Sequence, residues 1–190
     1  MKIAFIILGL ALGLPVLLSA QSATSTANMN ATTGPKVGDA APDFSLSYAT
    51  KDSVAPEDLK LSEQVGKKNI VLAFYPADWS GGCTKEVCTM RDNFADLGKL
   101  NADVIAISGD YEYSHHEWAK DLNLPFRLAS DHFHKVAAAY ASYNPESGFN
   151  RRTVYVIDKK GKIAYIDLKY SPRDMDSFNK LQAALKSLND

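Results

Sequence analysis

The chain has 190 residues, 46% of them apolar and 23% charged, with a formal net charge of −1. This fits one globular domain with an appendage and excludes disorder, collagen-like repeats and a disulfide-dense miniprotein. Near-neutral charge argues against a broad basic face, hence against nucleic acid as a partner, and two cysteines are too few for a four-thiolate zinc site.

At the N-terminus, Lys2 precedes an apolar run over residues 3–18, and Leu18-Ser19-Ala20 ends in small residues where a signal peptidase would cut. Residues 1–20 therefore read as a secretory signal peptide, which predicts an exported protein, periplasmic or secreted. The rival is an uncleaved membrane anchor, although the run is shorter than the roughly 20 residues that span a bilayer core. Residues 21–35 carry Ser, Thr, Ala and Asn without charge or an apolar face, and read as a low-complexity linker. Asn30-Ala31-Thr32 matches a glycosylation acceptor, which in such composition is as readily a coincidence. The working domain is residues 36–190, long enough for one sizeable core.

Within that domain, alternation over Asp43 to Ser47 predicts an early edge strand. The apolar run 69–75 predicts a strand buried on both faces. A helix follows from Gly82 to Leu100, with Val87, Met90, Phe94 and Leu97 at helical spacing. Next come a buried strand at 103–108, a helix over 114–122, a strand at 126–129 and a helix at 135–143. Strands at 153–157 and 163–168 are joined by Lys159-Lys160-Gly161-Lys162, which has hairpin chemistry. The last helix, 173–188, places Met175, Phe178, Leu181, Leu185 and Leu188 on one face. Strands that alternate with helices and end in a hairpin make an α/β sandwich, a central mixed sheet flanked by helices.

Cys83 falls at the junction of strand and helix. In a first helical turn, unpaired backbone N–H groups and the positive end of the dipole favour the thiolate, the nucleophilic form. Ser80, three residues earlier, can aim its hydroxyl at a polar substrate oxygen or cap the helix. Pro76 ends the strand and has no N–H to compete. The same local pattern fits a buried structural cysteine behind a capped helix.

Pro76-x-x-x-Ser80-x-x-Cys83 resembles the active-site signature of the peroxiredoxin family, with Ser where Thr often stands. The likeness covers most of residues 37–168. It includes Val37-Gly38-Asp39, Pro42-Asp43-Phe44, Cys83-Thr84-x-Glu86 and the run Val104 to Asp110. It continues through Arg152-Thr153-Val154-Tyr155-Val156-Ile157-Asp158 and Gly161-Lys162-Ile163. The resemblance implies a thioredoxin-like fold and a thiol-dependent peroxidase that reduces hydrogen peroxide and organic hydroperoxides through a cysteine sulfenic acid. It makes Cys83 the peroxidatic nucleophile. Arg152 would orient the peroxide, Ser80 would hydrogen-bond peroxide and thiolate, and Pro76 would shield the pocket. Arg152 matches the pattern; Arg151 would point to the opposite strand face. Neither metal nor cofactor is implied, and the electrons would come from a thioredoxin-like or other thiol reductant. Gly81-Gly82 departs from the Pro-Gly or bulkier residues of many members.

The Cys83-x4-Cys88 spacing resembles the bacterioferritin-comigratory (PrxQ-like) branch, which implies Cys88 as resolving cysteine and a Cys83–Cys88 disulfide. Five residues along a helix separate Cα atoms by about 8.6 Å, whereas a disulfide rarely tolerates more than about 7 Å. The bond therefore requires the first turns to unwind, and Gly81 and Gly82 lower that barrier. A static structural disulfide is the alternative.

Other features carry less. His115-His116 and His132-x-His134 lack acidic or cysteine partners at ligand spacing, and Ser114-His115-x-x-Trp118 resembles a family helix motif, which favours a structural histidine. Trp79 lines the pocket wall or simply packs; Lys159, Lys160 and Lys162 form a solvated hairpin tip. Two rivals share the fold. An exported thioredoxin-type oxidoreductase would want Cys-x-x-Cys and a late proline, yet none lies between Pro145 and Pro172. A copper-carrying module would want Cys-x-x-x-Cys with a later His.

Overall fold

The computed structural model describes residues 33–189. The expected signal peptide, and all of the linker up to residue 32, lie outside the described residues. In chain order the elements are β1 (Ser45–Leu46), β2 (Tyr48–Ala49), β3 (Leu59–Lys60), β4 (Asn69–Phe74), α1 (Gly81–Asp92) and α2 (Phe94–Lys99). Then come β5 (Ala102–Ser108), α3 (Glu112–Asp121), β6 (Arg127–Ser130), α4 (Lys135–Ala139), β7 (Tyr143–Asn144) and β8 (Phe149–Asn150). The chain closes with β9 (Thr153–Ile157), β10 (Ile163–Asp167) and α5 (Met175–Ser187).

The continuous apolar runs form the middle of a six-stranded mixed sheet ordered β10-β9-β4-β5-β6-β2. Helical crossovers make β4, β5 and β6 parallel, as such connections require. β9 returns antiparallel beside β4, so that Phe74 stands opposite Thr153. Alternate residues feed two cores. Val71, Ala73, Val104, Ala106, Val154 and Val156 pack against Cys83, Val87 and Met90 of α1, Trp118 of α3 and Phe178, Leu181 and Leu185 of α5. Ile70, Leu72, Phe74, Ile105, Tyr155 and Ile157 pack with Phe44, Leu61, Val136 and Tyr140 on the other face. With both faces covered, nothing along these strands needs to be polar.

Several expected elements differ. The helix predicted over 82–100 is broken at Asn93, whose side-chain amide donates to Thr89 O at 2.8 Å and whose backbone leaves the helical region, φ −106° and ψ 10°. An asparagine that bonds locally competes with the helical ladder. The edge strand expected over Asp43–Ser47 is reduced to the two-residue β1, and Asp43 stays outside it, its Oδ1 accepting from the N–H groups of Phe44 and Ser62, both at 2.9 Å. The edge beside β6 is instead β2, and β1 pairs with β3 outside the main sheet. The helix predicted over 135–143 stops at Ala139, because Ala141 turns left-handed, φ 52°; Tyr143–Asn144 then pairs with Phe149–Asn150. Met175 is 51% exposed at the first residue of α5, and the buried face starts at Phe178. The remaining boundaries move by two residues or fewer.

Candidate active site

Between Phe74 and Gly81 the chain turns through a loop pinned by one buried carboxylate. Asp78 Oδ1 accepts from the Tyr75 hydroxyl at 2.8 Å. Its Oδ2 accepts from Ser114 Oγ at 2.8 Å and faces His115 Nδ1 at 2.9 Å. The Asp78 N–H donates to Asp110 Oδ2 at 2.9 Å. These bonds tie the end of β4 to the end of β5 and the first turn of α3. The His115 and Asp78 side chains are wholly buried, where hydrogen bonds to a carboxylate are costly to break, although His115 Nε2 has no partner among the described residues. Burial, with Asp78 adding to it, holds the Tyr75 hydroxyl well above the usual phenol range, so it stays a donor.

That loop delivers Cys83 to the first turn of α1, fully buried. The first helical bond runs from Thr84 N–H to Ser80 O at 2.8 Å, so the N–H groups of Gly81, Gly82 and Cys83 precede the intrahelical ladder. Arg152 Nη2 donates to Cys83 Sγ at 3.2 Å, while Nη1 pairs with Glu86 Oε2 at 2.6 Å. The sheet explains how Arg152 arrives there. Phe74 faces Thr153, so Arg152 lies level with the start of the loop and, like Val154, turns toward α1. Arg151 and Thr153 turn the other way, to Tyr143 O and Ser142 Oγ. A Cβ at Gly82 would stand 2.8 Å from Arg152 Nη2. Glycine at that position is what lets the guanidinium lie over the helix start.

Glu86 is 1% exposed. One oxygen meets Arg152; the other, Oε1, and the buried Tyr170 hydroxyl have no protein hydrogen-bond partner among the described residues. Burial pushes the Glu86 carboxyl from 4.5 to about 7, against the opposing pull of Arg152. For Arg152, burial works against the charge, but Glu86 and Cys83 outweigh it and raise it on balance. A carboxyl raised in the folded state adds stability that is fully present below pH 4.5 and lost as pH rises through about 7. Glu86→Gln should therefore flatten the pH dependence of urea unfolding in that window, a difference of up to about 3 kcal/mol. An unchanged slope would show that Glu86 does not titrate there.

The structure brings Cys83, Arg152 and Glu86 together. Ser80 occupies the N-cap backbone position, yet its side chain makes no cap; Oγ donates to Ala77 O at 3.2 Å. Pro76 is half-buried at the loop start. Cys88 lies in the same unbroken α1, half-buried, and both thiols are free. Sequence reasoning gave no role to Glu86, Asp78, Tyr75 or Tyr170. Glu86 had a signal: an acid three residues after Cys83, on the same apolar helix face as Val87 and Met90. His132 Nε2 meets the Tyr111 hydroxyl and His134 Nδ1 meets Asn150 Oδ1, both at 2.8 Å. A groove of about 710 Å³, lined by Phe44, Val136 and Tyr140 among others, belongs to the opposite face and contains none of the cysteine-site residues. What Cys83 and Arg152 can do together is nucleophilic: a cysteine sulfur beside a fixed cation and open N–H groups suits attack on a bond whose departing atom gains negative charge.

Residues 37–166 match the AhpC/TSA family. A peroxiredoxin Q, chloroplastic, of Triticum aestivum is 42% identical over 62% of this chain and 58% of its own length. The peroxiredoxin Bcp of Bacillus subtilis is 35% identical over 67% of this chain and 82% of its own length. The chain thus spans less than two thirds of the wheat relative, but most of the bacterial one. Among solved structures, peroxidoxin BcpB from Mycobacterium tuberculosis superposes with a TM-score of 0.72 at 28% identity, covering 82% of this chain and 99% of that one. The sheet flanked by helices is the thioredoxin-like sandwich of these proteins, and the chain belongs to the AhpC/TSA family, among its peroxiredoxins.

Proposed function

We propose that this chain is a thiol-dependent peroxidase that reduces hydrogen peroxide and organic hydroperoxides. The observation that carries it is the Arg152 guanidinium donating to the buried Cys83 Sγ at 3.2 Å. The guanidinium places a charge-assisted donor on the sulfur, and the neighbouring N–H groups suit a developing oxyanion. The Cys83 thiolate attacks one peroxide oxygen and the O–O bond breaks. The second oxygen leaves with the electron pair and, after taking a proton, departs as water or alcohol. Cys83 is then a sulfenic acid. The Cys88 thiol attacks its sulfur, water leaves and a Cys83–Cys88 disulfide forms; a thioredoxin-like or other dithiol returns two electrons and two protons. In this reading Pro76 shields the pocket, and the Ser80 hydroxyl rotates from Ala77 O toward the peroxide. Reduced full-length protein given a thiol reductant should consume hydrogen peroxide and cumene hydroperoxide in step with reductant oxidation. Consumption of neither would refute the reading.

The disulfide carries its own prediction. At about 8.6 Å between Cα atoms in a helix, the two cysteines meet only if the first turns of α1 open. Amide exchange across residues 80–90 should be fast in the oxidised form and slow in the reduced one. Identical protection in both would withdraw Cys88 from the resolving role.

The same reading divides the chain into a signal peptide (1–20), a linker (21–35) and the peroxiredoxin domain (36–190), and takes the protein to be exported. Its support is the apolar run over residues 3–18 and the small residues after it. Intact-mass measurement on protein from its host should show a chain beginning at Gln21. Retention of residues 1–20 would make the segment an anchor instead.

A further inference from the structure

Trp79 stands one residue before Ser80 and four before Cys83. Its backbone is left-handed, φ 59°, a conformation that strains any residue with a bulky side chain. The ring is 56% exposed, yet it is not free to swing. Nε1 donates to Ser114 Oγ at 3.2 Å, the hydroxyl that in turn donates to the buried Asp78. The indole also lies against the buried Trp118, with ring centroids 6.5 Å apart. A large apolar surface is therefore held in the solvent by a chain of hydrogen bonds rooted in the core.

The residues between Trp79 and Cys83 in the chain are small. Ser80, Gly81 and Gly82 separate Trp79 from Cys83 in sequence, and a Cβ at Gly81 would meet nothing within 4 Å. Gly82 abuts the guanidinium that donates to Sγ. A fixed, exposed indole is thus followed in the chain by a run of small residues that leads to the first turn holding Cys83. Hydrogen peroxide has no apolar group to bury against an indole, whereas an alkyl or aryl hydroperoxide does, and burial of such surface is favourable.

We propose that Trp79 is a specificity-determining residue, the wall against which the organic group of an alkyl or aryl hydroperoxide packs while its O–O bond is presented to Cys83. This rests on the peroxidase reading and deepens it. Apolar contacts of this size discriminate by about tenfold. Trp79 adds nothing to bond breaking; it biases which hydroperoxide is held.

The test is the ratio of second-order rate constants for oxidation of reduced full-length protein by cumene hydroperoxide and by hydrogen peroxide, from stopped-flow mixing. Trp79→Gly suits the left-handed backbone and removes the ring together with its hydrogen bond to Ser114 Oγ; Trp79→Phe keeps an aromatic face without that bond. The ratio should fall about tenfold in Trp79→Gly and recover most of that loss in Trp79→Phe. An unchanged ratio in Trp79→Gly overturns the proposal, as does equal loss in both variants. Failure of the unsubstituted protein to react with either peroxide would instead refute the peroxidase reading, a distinct result.

Discussion

Cys83→Ser is expected to abolish peroxide turnover, and Cys88→Ser to leave one rapid oxidation that then stalls. Only Cys83 has the Arg152 guanidinium on its sulfur and lies in the first turn of α1, so only it combines a charged donor on the attacking atom with donors for the departing oxygen. A serine hydroxyl at the same place is not ionised and is a poor nucleophile toward oxygen. Cys88, half-buried farther along α1, has the later task of attacking the sulfenic sulfur. Its loss should leave Cys83 oxidised after a single turnover, visible as one equivalent of peroxide consumed and a sulfenic acid that dimedone labels. Equal steady-state activity in the two variants would remove both assignments.

Arg152→Gln should slow the reaction of Cys83 with peroxide by about 10²–10³-fold, the usual consequence of losing one preorganised donor to a developing oxyanion. Glutamine keeps polarity and part of the length but not the charge or the fork that reaches Sγ and Glu86 together. Gly82→Ala tests the same contact from the other side. Its Cβ would stand 2.8 Å from Nη2, the far end of a flexible side chain, so the guanidinium shifts while the fold stays. The expected result is a slower reaction, by up to about 10²-fold for a displacement near 1 Å, with little change in Tm. An Arg152→Gln rate within twofold of the unsubstituted protein would exclude Arg152 from the chemistry.

How much of this was legible in the chain differs from element to element. The apolar runs that became β4 and β5 declared strands buried on both faces, since a sheet covered by helices requires no polar positions. The hairpin between β9 and β10 was legible through Gly161, which takes φ 74° at the turn. The preference for Arg152 over Arg151 came from the family pattern, with strand parity sending Arg151 to the opposite face. The break at Asn93 and the early end of α4 were harder. The first depends on an asparagine that bonds locally against the helical pattern and the second on the left-handed backbone of Ala141, and apolar periodicity registers neither.

The sequence by itself determined the elements whose signal is local: the mixed sheet and its helices, a cysteine in a helix's first turn, and a second cysteine five residues on. The tertiary structure decided the contacts themselves, including that of Arg152, which the family resemblance implied but no local signal showed. Arg152 is 69 residues from Cys83 and His115 is 37 from Asp78, and no periodicity reports such pairings. Glu86 has a carboxyl raised to about 7 only because packing removes water from it, and Gly82 is needed only because a side chain from β9's end arrives above it. Local propensity acts over a turn or a strand, whereas burial and charge act across whatever the fold brings together. A motif can therefore mark the nucleophile, while the groups that tune it exist only once the sheet has formed.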